Sequence, residues 1–210
     1  MIDKPLILST AYLPPIDYWV AIVQHSELRI EAHENYQKQS YRNRCRIMGP
    51  NTIQDLNIPI AKTGSSKIAI TQVQIFDDSL WQKIHWKSIE TAYNSSPFFL
   101  YYADYFADLY TKKPSGLFDF NMEIIRSIFE ILELDQKLET TNDFVKDYGD
   151  DATDLRSKIH PKQKSIFKKE LAAQSYIQVF SERYGFVPNL SILDLIFNLG
   201  PEANSYLSSI

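Results

Sequence analysis

Leu6-Ile7-Leu8-Ser9-Thr10-Ala11-Tyr12, halted by Leu13-Pro14-Pro15, decides how the rest of the chain is read. A short apolar run stopped by a double proline reads as a buried strand followed by a turn. Ile16 to Gln24 (IDYWVAIVQ) then has helical character. Pro15 suits its first turn, where a missing N–H leaves nothing unpaired. Leu28 to His33 alternates apolar and polar residues, the two-residue period of a strand. Strand, turn, helix and strand in that order make a βαβ unit, the element of parallel α/β sheets.

Outward from that unit, Tyr41 to Ile47 alternates again. As a strand it sets Arg42, Arg44 and Arg46 on one face and Tyr41, Asn43, Cys45 and Ile47 on the other. Leu56 to Ile60 and Lys67 to Phe76 read as further short strands, with a turn at Lys62 to Ser66. The pattern then becomes helical. Ser79 to Tyr93 places Trp81, Ile84, His85, Ser88 and Ala92 on one face. Pro97 to Tyr110 carries Phe98, Tyr101, Tyr102, Tyr105, Phe106 and Leu109 as an apolar stripe. A third helix runs from about Leu117 to Leu134. Glu139 to Arg156 is the least regular stretch. Ser191-Ile192-Leu193-Asp194 starts a last helix in the manner of a capping box, and Gly200-Pro201 stops it. The expected fold is α/β: a short N-terminal, partly parallel sheet with a helix-rich C-terminal half packed on it, in one domain spanning residues 1–210.

Composition narrows the function classes. The net charge of −4 over 210 residues gives no general attraction to DNA or to an anionic membrane. One cysteine excludes an intramolecular disulfide framework and a multi-cysteine metal site. Only 6 glycines are present, and GxxxxGK[ST], GxGxxG and GxSxG are all absent. That disfavours a P-loop enzyme, a standard dinucleotide oxidoreductase and an α/β-hydrolase. No apolar run approaches the length of a signal peptide core or a membrane span, so the expected compartment is cytoplasmic, without membrane insertion. No cofactor and no metal are expected.

The densest polar cluster is Glu34-Asn35-Tyr36-Gln37-Lys38-Gln39-Ser40-Tyr41-Arg42-Asn43-Arg44, just past a strand end. In open α/β sheets ligands bind there. On one strand face Arg42 and Arg44 would stand about 7 Å apart, able to hold a phosphate or carboxylate, with Lys38 adding a point charge. The competing reading is an exposed strand whose arginines pair with Glu31, Glu34 or water. His85, followed by Trp86, points inward or into a cleft. It is either a general base or a satisfied interior histidine. Cys45 reads as a small buried hydrophobe. Asn121 falls in an apolar helix stripe, so its amide must bond a ligand or a backbone turn. Asp154 and Arg156 form a site pair or a plain cap. Asp194 is explained by capping, whereas Asn198 is not. Lys162, Lys164, Lys168 and Lys169 read as a solvated face or a nucleic-acid contact.

Several of these segments carry a resemblance. Tyr12-Leu13-Pro14-Pro15-Ile16-Asp17-Tyr18-Trp19, Glu34 through Cys45, His85-Trp86, Ala92 through Phe99, Tyr176 through Phe180 and Pro188 through Asn198 resemble the WbqC-like family. The resemblance implies a bacterial protein of surface-polysaccharide (O-antigen) biosynthesis. It also implies glycine or other acyl transfer onto a sugar amine. It brings no established catalytic residues with it.

Two functions from different classes follow. In the first, an aminoacyl or acyl transferase uses His85 as base toward an amino sugar or sugar nucleotide. The expected substrate-binding residues are Tyr12, Glu34, Asn35, Lys38, Arg42, Asn43, Arg44, Trp86, Asn121 and Asp154. The acyl donor is unspecified: an adenylate, a thioester or aminoacyl-tRNA. The opening strand, turn and helix also suit an adenylate-forming scaffold by fold analogy, although an HxGH-type motif is absent. In the second, the protein holds a sugar nucleotide or a partner enzyme without turnover, its tyrosines and tryptophans stacking on sugars or anchoring an interface. Oligomeric state is left open.

Overall fold

The computed structural model describes residues 2–62, 67–76 and 80–210. The turn expected at Lys62 to Ser66 lies mostly outside them, as does Ser79. In chain order the elements are β1 (Leu6–Ser9), α1 (Ile16–Val23), β2 (Glu27–Glu31), β3 (Arg44–Met48), β4 (Ile53–Asn57), α2 (Leu80–Tyr93), α3 (Phe99–Ala107), α4 (Leu117–Ile131), β5 (Lys137–Thr140), β6 (Thr153–Asp154), α5 (Lys168–Ala173), α6 (Ser181–Tyr184), α7 (Ile192–Leu199) and α8 (Ala203–Ser208).

The fold is α/β. A four-stranded sheet of order β5-β2-β1-β6 pairs in parallel throughout. Leu6 sits opposite Leu28 on one side and Thr153 on the other, while Glu27 sits opposite Lys137. β1 is buried along its whole length, as a strand with neighbours on both edges should be. Leu6, Ile7 and Leu8 each contribute about 1.5–3 kcal/mol by leaving water. α1 packs against α7 and α8, and its Trp19 meets Phe129 of α4 edge-on at 5.9 Å. β3 and β4 form a separate antiparallel hairpin.

Three sequence expectations are corrected. The strand expected over Tyr41 to Ile47 begins only at Arg44. Residues Tyr41–Asn43 form a 3₁₀ turn in which Ser40 Oγ accepts from the Arg42 N–H. That cap turns the chain and sends Arg42 and Arg44 in different directions. Lys67 to Phe76 is not a strand either. It holds a 3₁₀ turn at Ile70–Gln72 between isolated bridges, Asn35 to Ala69 and Ile60 to Ile75. On α3 the buried face is Phe99, Ala103 and Phe106, set by Phe197 of α7 at 5.0 Å from Phe99 and 5.7 Å from Phe106. Tyr101 and Tyr105, expected inside, are exposed, as is Ile84 on α2.

α7 ends as expected. Ser191 Oγ accepts from the Leu193 N–H at its start, and Gly200 closes it with φ 54°. A Cβ on Gly200 would lie 2.5 Å from Phe98 ring carbons. Gly200→Ala combines left-handed backbone strain with this clash. It is expected to lower the unfolding free energy by about 2–4 kcal/mol, read as a lower urea midpoint at unchanged m-value.

Candidate functional site

β1 connects through α1 to β2 on one side, while β6 joins β1 on the other, so the sheet order reverses between β1 and β6. The carboxyl ends of those two strands therefore flank the crevice where parallel sheets bind ligands. The strand ends are unusually polar. Glu31, wholly buried at the end of β2, accepts on Oε1 from Thr141 Oγ1 (2.8 Å) and the His33 N–H (2.8 Å), and on Oε2 from Arg156 Nη1 (2.6 Å). Arg156 also donates to Asp154 from Nε (2.9 Å) and Nη2 (2.6 Å), and from Nη2 to the Val145 carbonyl (2.8 Å). Its guanidinium lies 5.2 Å from the Phe144 ring centre and 5.0 Å from that of Tyr148. Planar charge delocalisation makes arginine the residue able to satisfy all these partners at once.

The second arginine is Arg42, 3% exposed. It grips Glu34 in a two-pronged pair, Nε to Oε1 at 2.8 Å and Nη2 to Oε2, and Nη2 also donates to Ser9 Oγ at 2.7 Å. Ser9 Oγ in turn donates to Glu34 Oε2 (3.1 Å). Arg42 Nη1 hydrogen-bonds no described residue. Thr10, the next residue after β1, is wholly buried, and its hydroxyl has no partner. Thr10 and Arg42 line one small crevice with Ser9, Leu155, Arg156 and Ile159. A cavity of about 310 Å³ is walled by Glu34, Asn35, Arg42, Phe144, Lys146 and Arg156. Arg42 and Arg156 belong to both, so the crevice and the cavity adjoin. Buried polar groups are ordinarily paired. A buried hydroxyl without a partner, in a crevice that a guanidinium also lines, therefore describes a place for a ligand oxygen.

Of the residues singled out in the sequence, Glu34, Asn35, Arg42 and Asp154 line this cavity. Asn121 does not. Its Nδ2 donates to the Arg42 carbonyl at 2.7 Å, so it fixes the turn that carries Arg42, while its buried Oδ1 is unpartnered. Lys38 is exposed on the adjoining loop. Asn43 donates to the Ile58 carbonyl, and Arg44 donates to Asn57 Oδ1 (2.7 Å) on the neighbouring hairpin strand. Arg44 and Arg46 share Asp55. The expected Arg42–Arg44 anion clamp is therefore not formed.

His85 lies elsewhere, 4% exposed among aromatic rings. Its Nδ1 hydrogen-bonds Tyr12 OH (2.9 Å), and Tyr12 OH also meets Tyr110 OH (2.5 Å). Trp81 stands edge-on at 5.1 Å. Trp86 stacks on Phe99 and leans on Tyr110. Tyr12, His85 and Trp86 line neither the crevice nor the cavity. Burial lowers the His85 pKa to about 4. That makes a neutral imidazole with little appetite for a proton at pH 7. The general-base role expected of His85 gives way to a packing role. Cys45 is buried, and burial pushes its thiol pKa up. Among the described residues no group of three or more His, Cys, Asp or Glu could hold a metal ion, and no helix is long and apolar enough to cross a membrane.

The sequence offered Glu31 only as a partner for the arginines of an exposed strand, and Thr10 and Thr141 not at all. The only signal was that apolar strands end in Ser9-Thr10 and in Glu31, polar residues where burial predicts hydrophobes.

Comparison with known proteins identifies a family. The model of the WbqC-like protein family matches residues 10–178, from Thr10 past Arg156. An uncharacterized protein of Mycobacterium tuberculosis, Rv1507c, is 27% identical over 97% of each chain. No solved structure matches. A match over most of the chain, taking in every strand end of the parallel sheet except Ser9, means that the chain belongs to the WbqC-like protein family.

Proposed function

We propose that the crevice between β1 and β6 binds an amino sugar, free or carried on a nucleotide, and that the protein transfers an acyl or aminoacyl group, such as glycine, onto its amine. One observation carries this reading: the Thr10 hydroxyl is buried and unpartnered in a crevice that Arg42 also lines, at the switch point of a parallel sheet. The adjoining cavity offers both signs of charge, Glu34 and Asp154 for an ammonium group and Arg42 and Lys146 for an anion. The segment leaving β6 is rich in cations. Between Asp154 and Glu170 there is no acidic residue, while Arg156, Lys158, Lys162, Lys164, Lys168 and Lys169 fall there. Lys162 reaches back to Gln39 Oε1 at 2.5 Å, beside the cavity wall. Such a basic segment attracts phosphorylated ligands despite the net negative chain. Phe144, 54% exposed, offers a ring for stacking.

In the transfer, the sugar amine attacks the acyl carbon of an activated donor (adenylate, thioester or ester). The C–N bond forms and the bond to the leaving group breaks with its electron pair. The amine proton leaves to solvent water. The test is incubation with a nucleotide-linked amino sugar, glycine and ATP, charged tRNA or an acyl thioester, followed by mass spectrometry of the sugar. The expected product gains one acyl group less one hydrogen. Thr10→Val, isosteric and free of the orphan hydroxyl, is expected to keep stability and weaken sugar binding about tenfold. No product with any donor, together with unchanged affinity of Thr10→Val, overturns the reading.

A non-catalytic binding role has its own support. Glu31, Glu34 and Asp154 are each tied to an arginine, which leaves no carboxylate at the strand ends free of a cation. Tight binding that Thr10→Val weakens, without product, selects that alternative.

A further inference from the structure

α2 and α3 are consecutive helices that touch where Trp86 stacks on Phe99 at 6.2 Å. Their inner faces are filled, and their outer faces follow helical spacing with opposite chemistry. On α2 the exposed positions include Lys83, Ile84 and Lys87. On α3 and the 3₁₀ turn that prolongs it they are Tyr101, Asp104, Tyr105 and Asp108, with Leu100 alongside. Ile84 is 59% exposed, Leu100 86%, Tyr101 74% and Tyr105 49%. Large apolar side chains exposed on two adjoining helices mark a contact surface, and tyrosine is favoured in such contacts.

The charges on these faces are largely unused. The Asp104 and Asp108 carboxylates and the Lys83 ammonium make no ion pair with a described residue. Lys87 reaches only Glu90 on its own helix, at 3.3 Å. The two lysines are four residues apart and so are the two aspartates, a rise of about 6 Å in each helix. The apolar residues interleave with the charges on both faces.

We infer that this flank is the interface of a homodimer in which α2 of each copy docks on α3 of the other. A twofold axis makes the contact isologous, so every Lys–Asp match occurs twice. Ile84 of one copy then covers Tyr101 and Tyr105 of its partner. Two short helix faces make a small, salt-sensitive interface, so association is expected to depend on protein concentration.

Sedimentation of the full chain across a concentration series, at low and high salt, tests this. The expected result is a monomer–dimer equilibrium weakened by salt. Lys83→Glu with Lys87→Glu makes both faces acidic, and Asp104→Lys with Asp108→Lys makes both basic. Each variant alone is expected to be monomeric, an equimolar mixture to dimerise, and the fourfold swap in one chain to dimerise again. Circular dichroism checks that these exposed substitutions leave the fold intact. A wild type that stays monomeric at the highest soluble concentration overturns the proposal, whether or not another partner uses the flank. So does a dimer that survives either swap alone.

Discussion

Glu34→Ala is expected to cost about 3–5 kcal/mol of unfolding free energy, because it strands a buried guanidinium. Arg42 is 3% exposed and Glu34 5%, so each charge is poorly hydrated when its partner goes. Nε and Nη2 both lose their carboxylate acceptors, leaving Ser9 Oγ as the one remaining side-chain partner. The cost belongs to the charge left behind and not to the pair. Replacing both members with apolar residues of similar volume, Glu34→Leu with Arg42→Met, is therefore expected to recover most of the stability. It should still abolish ligand binding, since Nη1 is gone. Urea unfolding of the two single variants and the double gives the coupling directly. A Glu34→Ala cost below about 1 kcal/mol would mean that water reaches Arg42 in the folded protein, and the closed crevice would have to be abandoned.

How legible this site was in the sequence depends on the range of each contact. The βαβ opening could be read because Leu6 to His33 carries its own strand, helix and strand signals. The α7 caps could be read for the same reason, Ser191 and Gly200 acting within a few residues. β5 and β6 could not. They are four and two residues long, and they are strands only because β2 and β1 present free edges to them. Arg42 illustrates a subtler limit. Alternation across Tyr41 to Ile47 looks like a strand until the Ser40 hydroxyl takes the Arg42 N–H and the first three residues coil. The Glu31–Arg156 pair spans 125 residues and leaves no local trace. For His85 the inward direction was readable from helix spacing. What stands opposite it, Tyr12 and Trp81 instead of a cleft, was not. On α3, position 99 and not 98 faces Phe197, and that tertiary choice turned two tyrosines outward.

Asp194 should make the protein gain stability on acidification, the reverse of ordinary acid denaturation. Its carboxylate is 1% exposed and accepts from Tyr176 OH (2.6 Å) and Gln178 Nε2 (2.7 Å), tying the 174–190 segment to α7. Burial outweighs those hydrogen bonds and raises its pKa from 3.8 to about 6. A group whose pKa rises on folding contributes stability that is fully present below 3.8 and lost as pH rises through about 6. The shift corresponds to about 3 kcal/mol. Asp17, whose buried Oδ1 has no partner, is raised to about 6 as well and acts in the same direction. His85 opposes both. Its pKa falls from 6.5 to about 4, so its contribution is present above 6.5 and lost as pH falls through 4. Because these terms overlap, the wild-type pH curve alone does not separate them, but a difference does. The stability gap between wild type and Asp194→Asn, from urea midpoints, is expected to change by about 3 kcal/mol between about pH 3 and pH 7.5, with the variant gaining on wild type as pH rises. Parallel curves would mean that Asp194 titrates near its unfolded value. Solvent or an added donor would then have to reach it, and the packing of residues 174–190 over α7 would be looser than their hydrogen bonds imply.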